Sequence, residues 1–173
     1  QELERDHMDE LFFINMEIIK LNELDTRTSM LAVTQFKKAI TSRQPTSIIS
    51  RWDQFAGSRE DIINVILKML CYEMTYEYGA IALASVFKAD QSVDIIKQTL
   101  EYLAGIIASQ ESTKQNKLGA IAALEKLFNN RIIPVTIYIR FNMSHLMTFA
   151  LNTVAKGEAD CMFYECLLLL GGM

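Results

Sequence analysis

The run from Ala123 to Ile139, ALEKLFNNRIIPVTIYI, decides how this chain is read. Its first half belongs to a helix: Ala120, Ile121, Leu124, Leu127 and Phe128 recur at the spacing of one buried helical stripe. Asn129 and Asn130 end that helix, because asparagine tolerates the left-handed backbone of a helix C-terminus. The following stretch, Arg131 to Phe141, has the composition of a β-strand, with four isoleucines, a valine and a threonine. A lone strand would leave its backbone groups unpaired, and the chain offers no second strand to pair with it. Pro134 is acceptable in a first helical turn, where its missing N–H has no partner to lose. The segment therefore reads as the opening of a buried helix, with a short extended piece as the alternative.

Outward from this run, everything is helical by pattern. A first helix runs from about Glu2 to Leu24, with Leu11, Ile14, Ile18 and Leu21 on one face and Phe12, Met16 and Ile19 beside it. Asp25 or Thr26 caps a second, to about Ser42, with Met30, Leu31, Val33, Phe36 and Ile40 inward. Pro45 stops it, and a short helix carries Ile48, Ile49, Trp52 and Phe55 up to Gly57. Ser58, with Asp61 three residues on, then opens a stretch from Ile62 to Phe87 that is apolar on nearly every side. Such a helix is a central one, with Gly79 marking a kink or a break. Asp90 or Ser92 opens the next helix, and Ser112-Thr113-Lys114-Gln115 is a capping box for the one after. Met143 to Ala155 and Glu158 to Leu170 complete the set, separated by Gly157. Seven glycines and two prolines in 173 residues leave room only for short links, so eight to nine antiparallel helices in one domain (residues 1–173) are expected. The chain opens without a methionine and reads as part of a larger protein.

Three helices share an Ala-Leu-x-x-apolar core: Ala82-Leu83 with Val86, Ala123-Leu124 with Leu127, and Ala150-Leu151 with Val154. The first two lie 41 positions apart, a spacing within the helical-repeat range. Together with the Ile-Pro pair after a short polar turn, residues 79–170 resemble the armadillo/HEAT family. That resemblance implies a stack of helical repeats; an irregular helical bundle is the other architecture. Asn-Asn-Arg replaces the glycine usual before the Ile-Pro pair, and Tyr138 and Arg140 stand where small or aliphatic residues are usual.

The charge of −4 and pI near 5.2 argue against non-specific nucleic-acid binding. Cys71, Cys161 and Cys166 are odd in number and lack metal-ligand spacing, which reads as free thiols in a reducing compartment, cytoplasmic or nuclear. No apolar run approaches the length of a membrane span. His7 and His145 stand far apart, and no nucleophile elbow, phosphate loop, dinucleotide fingerprint or metal set occurs, so no catalytic residue, cofactor or metal is expected.

These features point to a non-enzymatic scaffold or interaction module that binds an amphipathic helix or extended peptide of a protein partner. Its candidate contacts are Phe12, Phe13 and Met16 on the first helix, Trp52, and the acidic tyrosine cluster of Tyr72, Tyr76 and Tyr78 with Glu73 and Glu77. Lys114, Lys117, Lys126, Arg131 and Arg140 form the basic candidates, for an acidic peptide or a phosphate track. A nucleic-acid-associated helical module would need those cations to converge on one face. A compact bundle of the cell-death-regulator type would use Ile62 to Phe87 as its central helix.

Overall fold

A computed structural model describes residues 14–15, 27–28, 31–35, 57, 59–90, 92–132, 144–157 and 160–172. Among the described residues the backbone is helical with no strand, so the chain is all-α. Six helices are delimited: α1 (Arg59–Met69), α2 (Tyr76–Ala89), α3 (Val93–Ala108), α4 (Lys114–Asn129), α5 (Ser144–Lys156) and α6 (Cys161–Gly172). The Ile-rich segment after Ile132 lies outside the described residues, Tyr138 and Arg140 included.

Packing alternates regularly. Consecutive helices pair as α1 with α2, α3 with α4 and α5 with α6, while α2, α4 and α6 pack side by side and α3 packs on α5. The helix enclosed on most sides is therefore α4, held by α2, α3 and α6. Its length from Leu118 to Glu125 is buried without interruption. The central helix is thus not the Ile62–Phe87 stretch, for which the sequence predicts a kink or a break into two helices at Gly79. That stretch is two helices, of which α2 lies in the inner row with Ala80, Ala82, Leu83 and Val86 fully buried.

The break between them falls at Leu70–Thr75, upstream of Gly79. No glycine or proline marks it. Cys71 and Tyr72 donate their N–H groups to Lys68 and Met69 carbonyls, tightening the last turn of α1. Thr75 then turns its hydroxyl back onto the Met69 carbonyl at 2.8 Å. The bond gives that carbonyl a second donor beside the Tyr72 N–H, and Thr75 makes no side-chain cap on α2. Gly79 sits inside α2 against α1, where an added Cβ would stand 3.0 Å from Met69 Cβ. Gly119 is tighter: a Cβ there would meet the Leu70 carbonyl oxygen at 1.9 Å, so α4 packs directly on the backbone between α1 and α2. Alanine neighbours at 120, 122 and 123 permit the same closeness along α4.

Helix ends follow side-chain chemistry, with small shifts of register from expectation. The cap of α4 is Thr113, whose Oγ1 accepts from the Asn116 N–H at 3.1 Å, one residue beyond the Ser112–Gln115 box. Ser92 precedes α3, and Asp90 accepts from the Ser92 N–H at 2.7 Å. At the end of α4, Arg131 donates to Phe128 and Ile132 to Leu127, the paired bonds of a Schellman motif. The left-handed residue of that motif is Arg131, at φ 51°, and not either asparagine. Gly157, at φ 69°, terminates α5 as expected.

In the first part of the chain, Ala32 and Val33 join the core while Leu31 is exposed. Likewise Asn15 is buried and Ile14 exposed, so of the described residues expected to face inward Val33 does, whereas Leu31 and Ile14 do not.

Candidate functional groove

Two helix C-termini and one helix N-terminal turn meet at a groove of about 680 Å³, a size suited to a recognised side-chain cluster or small ligand. Its apolar surface comes from Ile81 and Phe87 of α2, Ile96 of α3, and Ile132 after α4. Around it stand Lys88 in the last turn of α2, Lys126 in the last turn of α4, and Arg131. Cations belong at these positions because the C-terminal carbonyls carry partial negative charge. The fold brings three of them to one rim.

Asp90, also lining the groove, is neutralised in place. It is 3% exposed, accepts from Ser92, and lies 3.6 Å from the Arg59 guanidinium of α1. That pair ties α1 to the α2–α3 link, and the cations left to the groove are Lys88, Arg131 and Lys126, the last of them paired with Glu125.

Behind the groove, at the junction of α2, α4 and α6, lies a polar interior. Glu125 of α4 is 5% exposed; its Oε1 accepts from Asn129 at 2.6 Å and its Oε2 lies 2.7 Å from Lys126 Nζ. Asn129 also donates to the Leu168 carbonyl of α6. Tyr76 of α2 is buried and donates to Glu77 at 3.2 Å. Burial, then Glu77 and Glu165, push its hydroxyl pKa up. Glu165 of α6 turns one buried oxygen, Oε2, into this interior without a hydrogen-bond partner. Burial raises its pKa, Glu125 and Glu77 add to the rise, and Lys126 opposes it.

Glu165 is the sole acidic or basic residue of α6. The exposed positions of that helix are Cys161, Tyr164, Leu167, Leu168 and Gly171. The thiols are all free, and burial pushes Cys166 up to about 11, which keeps it protonated and unreactive. Among the described residues no group of His, Cys, Asp and Glu could hold a metal ion, and no helix is long and apolar enough to cross a membrane.

The residues singled out by sequence are dispersed. Tyr72 is exposed in the α1–α2 turn, whereas Tyr76 faces the interior and Tyr78 packs on the core, so the three rings do not line one groove. Lys114 and Lys117 lie at the opposite end of α4 from Lys126 and Arg131, roughly 20 Å away by helical rise. There Lys114 binds Asp160 at the start of α6, and Lys117 Nζ stands 5.7 Å above the Phe149 ring of α5. Both dock the last hairpin. Phe12, Phe13, Met16, Trp52 and Arg140 lie outside the described residues, as does the side chain of His145.

Lys88, Asp90, Glu125 and Glu165 were not marked by the sequence. Lys88 and Asp90 stand together at the end of α2, Glu125 lies on α4 and Glu165 on α6, and only the stacking brings these helices together. The sole available signal was the placement of Lys88 and Lys126 in last helical turns. No family model, curated protein or solved structure matches this chain.

Proposed function

We propose that this chain is a non-enzymatic interaction module that docks an acidic amphipathic helix of a protein partner in the groove at the ends of α2 and α4. The observation that carries the reading is the pairing of an apolar floor with a rim of Lys88, Lys126 and Arg131. An amphipathic helix offers an apolar stripe to the floor, and flanking carboxylates answer the rim. Exposed apolar side chains on α5 and α6, among them Leu151, Tyr164 and Leu168, further support a life within a complex. The free thiols support an intracellular one.

The scaffold belongs to the same proposal as a two-row stack of helical hairpins of the armadillo/HEAT kind. Supporting it are the alternating helix contacts and the equivalent burial of the Ala-Leu cores of α2 and α4 in one row. The third such core departs, since Leu151 of α5 is exposed and α5 lies in the other row.

Fluorescence anisotropy tests the function. The probes are a synthetic helix with a leucine stripe flanked by glutamates, its Glu→Gln and Leu→Ser versions, and single-stranded RNA. The acidic amphipathic helix binds best, and both altered peptides bind weakly. Preference for RNA, with a steep salt dependence, would instead make this a nucleic-acid module and sink the reading.

A further inference from the structure

The hairpin of α5 and α6 carries an apolar surface that the groove does not use. Among the described residues, five of the eleven large hydrophobic side chains left exposed stand on these two helices: Met147 and Leu151 on α5, and Tyr164, Leu167 and Leu168 on α6. Intervals of three and four residues set each group along one side of its helix. The hairpin packs through α5 on α3 and through α6 on α4, and these exposed stripes lie on its other side.

Neither stripe carries a charge. The Lys, Arg, Asp and Glu residues of α5 and α6 are Lys156 and Glu165. Lys156 lines a cleft shared with Lys114 and Lys117, and Glu165 Oε2 is buried. An acidic helix of the kind that suits the groove finds no cation here. Across the molecule, α1 exposes Glu60, Asp61 and Lys68, so a head-to-tail contact would set apolar side chains against charges. A second copy turned about a two-fold axis instead brings the same uncharged patch onto itself. The size also fits. With each of the five between 41 and 57% exposed, they offer roughly 500 Å² per copy, and a specific pair needs about 1,000 Å² in all. Tyr164 is already fixed, its ring edge-on to Phe163 with centroids 5.5 Å apart, so it loses little freedom on pairing.

We propose that the exposed face of α5 and α6 is a self-association surface, through which two copies of this chain form a two-fold symmetric dimer centred on Leu151, Tyr164 and Leu167. None of the five side chains lines the groove at the ends of α2 and α4, so pairing and docking use separate surfaces.

Sedimentation equilibrium on the full chain tests this. The expected result is a mass that rises with concentration from 19.7 kDa toward twice that value. The dissociation constant should be on the order of 10 μM, as suits an interface of minimum size. Leu151→Glu/Leu167→Glu and Leu151→Lys/Leu167→Lys should each stay at the monomer mass with unchanged helical circular dichroism. Mixed together, the two variants should regain the dimer, because opposite charges then meet across the interface. Tyr102→Glu, which alters an exposed ring on α3, should pair as the wild type does. A wild-type mass of one chain at every concentration overturns the proposal. So does undiminished association of either double variant, a mixture that stays monomeric, or equal loss of pairing in Tyr102→Glu.

Discussion

Arg131 occupies a backbone conformation that suits glycine, and its cost is testable. At φ 51° the Cβ of an L-residue crowds the following carbonyl, at about 1–2 kcal/mol. Arg131→Gly should therefore raise the urea midpoint, by about 1 kcal/mol in stability, while weakening the acidic helix. Arg131→Ala keeps the strain and loses the charge, so it should weaken binding with no gain in stability. Gly119 is the opposite case. Gly119→Ala drives a methyl into the Leu70 carbonyl, and backbone cannot step aside as a side chain does. A loss of about 3 kcal/mol or more is expected in the same denaturation assay. Neither residue was legible beforehand. The sequence placed the left-handed turn at the asparagines because their side chains favour it, but the Schellman hydrogen bonds fall one residue later. It put weight on Gly79 and none on Gly119, because the close approach is imposed by a carbonyl distant in sequence.

Among the elements, α4 and α6 are joined at their starts. Thr113 caps α4, and Thr113→Ala should cost about 1 kcal/mol in thermal or chemical melts. Asp160 caps α6 by accepting from Phe163 at 2.9 Å, and it binds Lys114 of α4. The Lys114 hydrogen bond, followed by that of the Phe163 N–H, holds the Asp160 carboxyl below the usual aspartate value. A lowered folded pKa means stability that is present above the unfolded value and lost as pH falls through the folded one. Glu165 has the reverse sign. Its raised folded pKa gives stability that is present below the unfolded value and lost as pH rises through the folded one. Glu165→Gln should therefore raise the melting midpoint at neutral pH, with the gain shrinking as pH falls. Asp160→Asn should flatten the acid limb of the wild-type curve. Helix existence at this scale was readable from the 3.6-residue pattern and from Ser92, Gly157 and the Thr113 region. The α1–α2 break was not, because Leu70 to Thr75 holds no breaker residue and a threonine hydroxyl closes the turn.

Across the whole molecule, the all-α class follows from scarce glycine and proline and from helical periodicity. The proposed docking groove lies where the ends of different helices meet, and that is invisible in one dimension. Lys114 and Lys117 looked equivalent to Lys126 and Arg131, yet stacking uses the first two to dock the last hairpin and leaves the others on the groove. Small-angle scattering should give the elongated profile of stacked hairpins, and a spherical profile would contradict that architecture. The most direct test of the groove is a charge swap. Anisotropy titrations would compare wild type with the Lys88→Glu/Arg131→Glu variant, against the acidic amphipathic helix and its lysine-flanked counterpart. Two rim pairs at somewhat under 1 kcal/mol each predict a loss of about tenfold for the acidic helix. The reversed variant should gain the basic helix in its place. Equal binding of both peptides by both proteins would contradict the account.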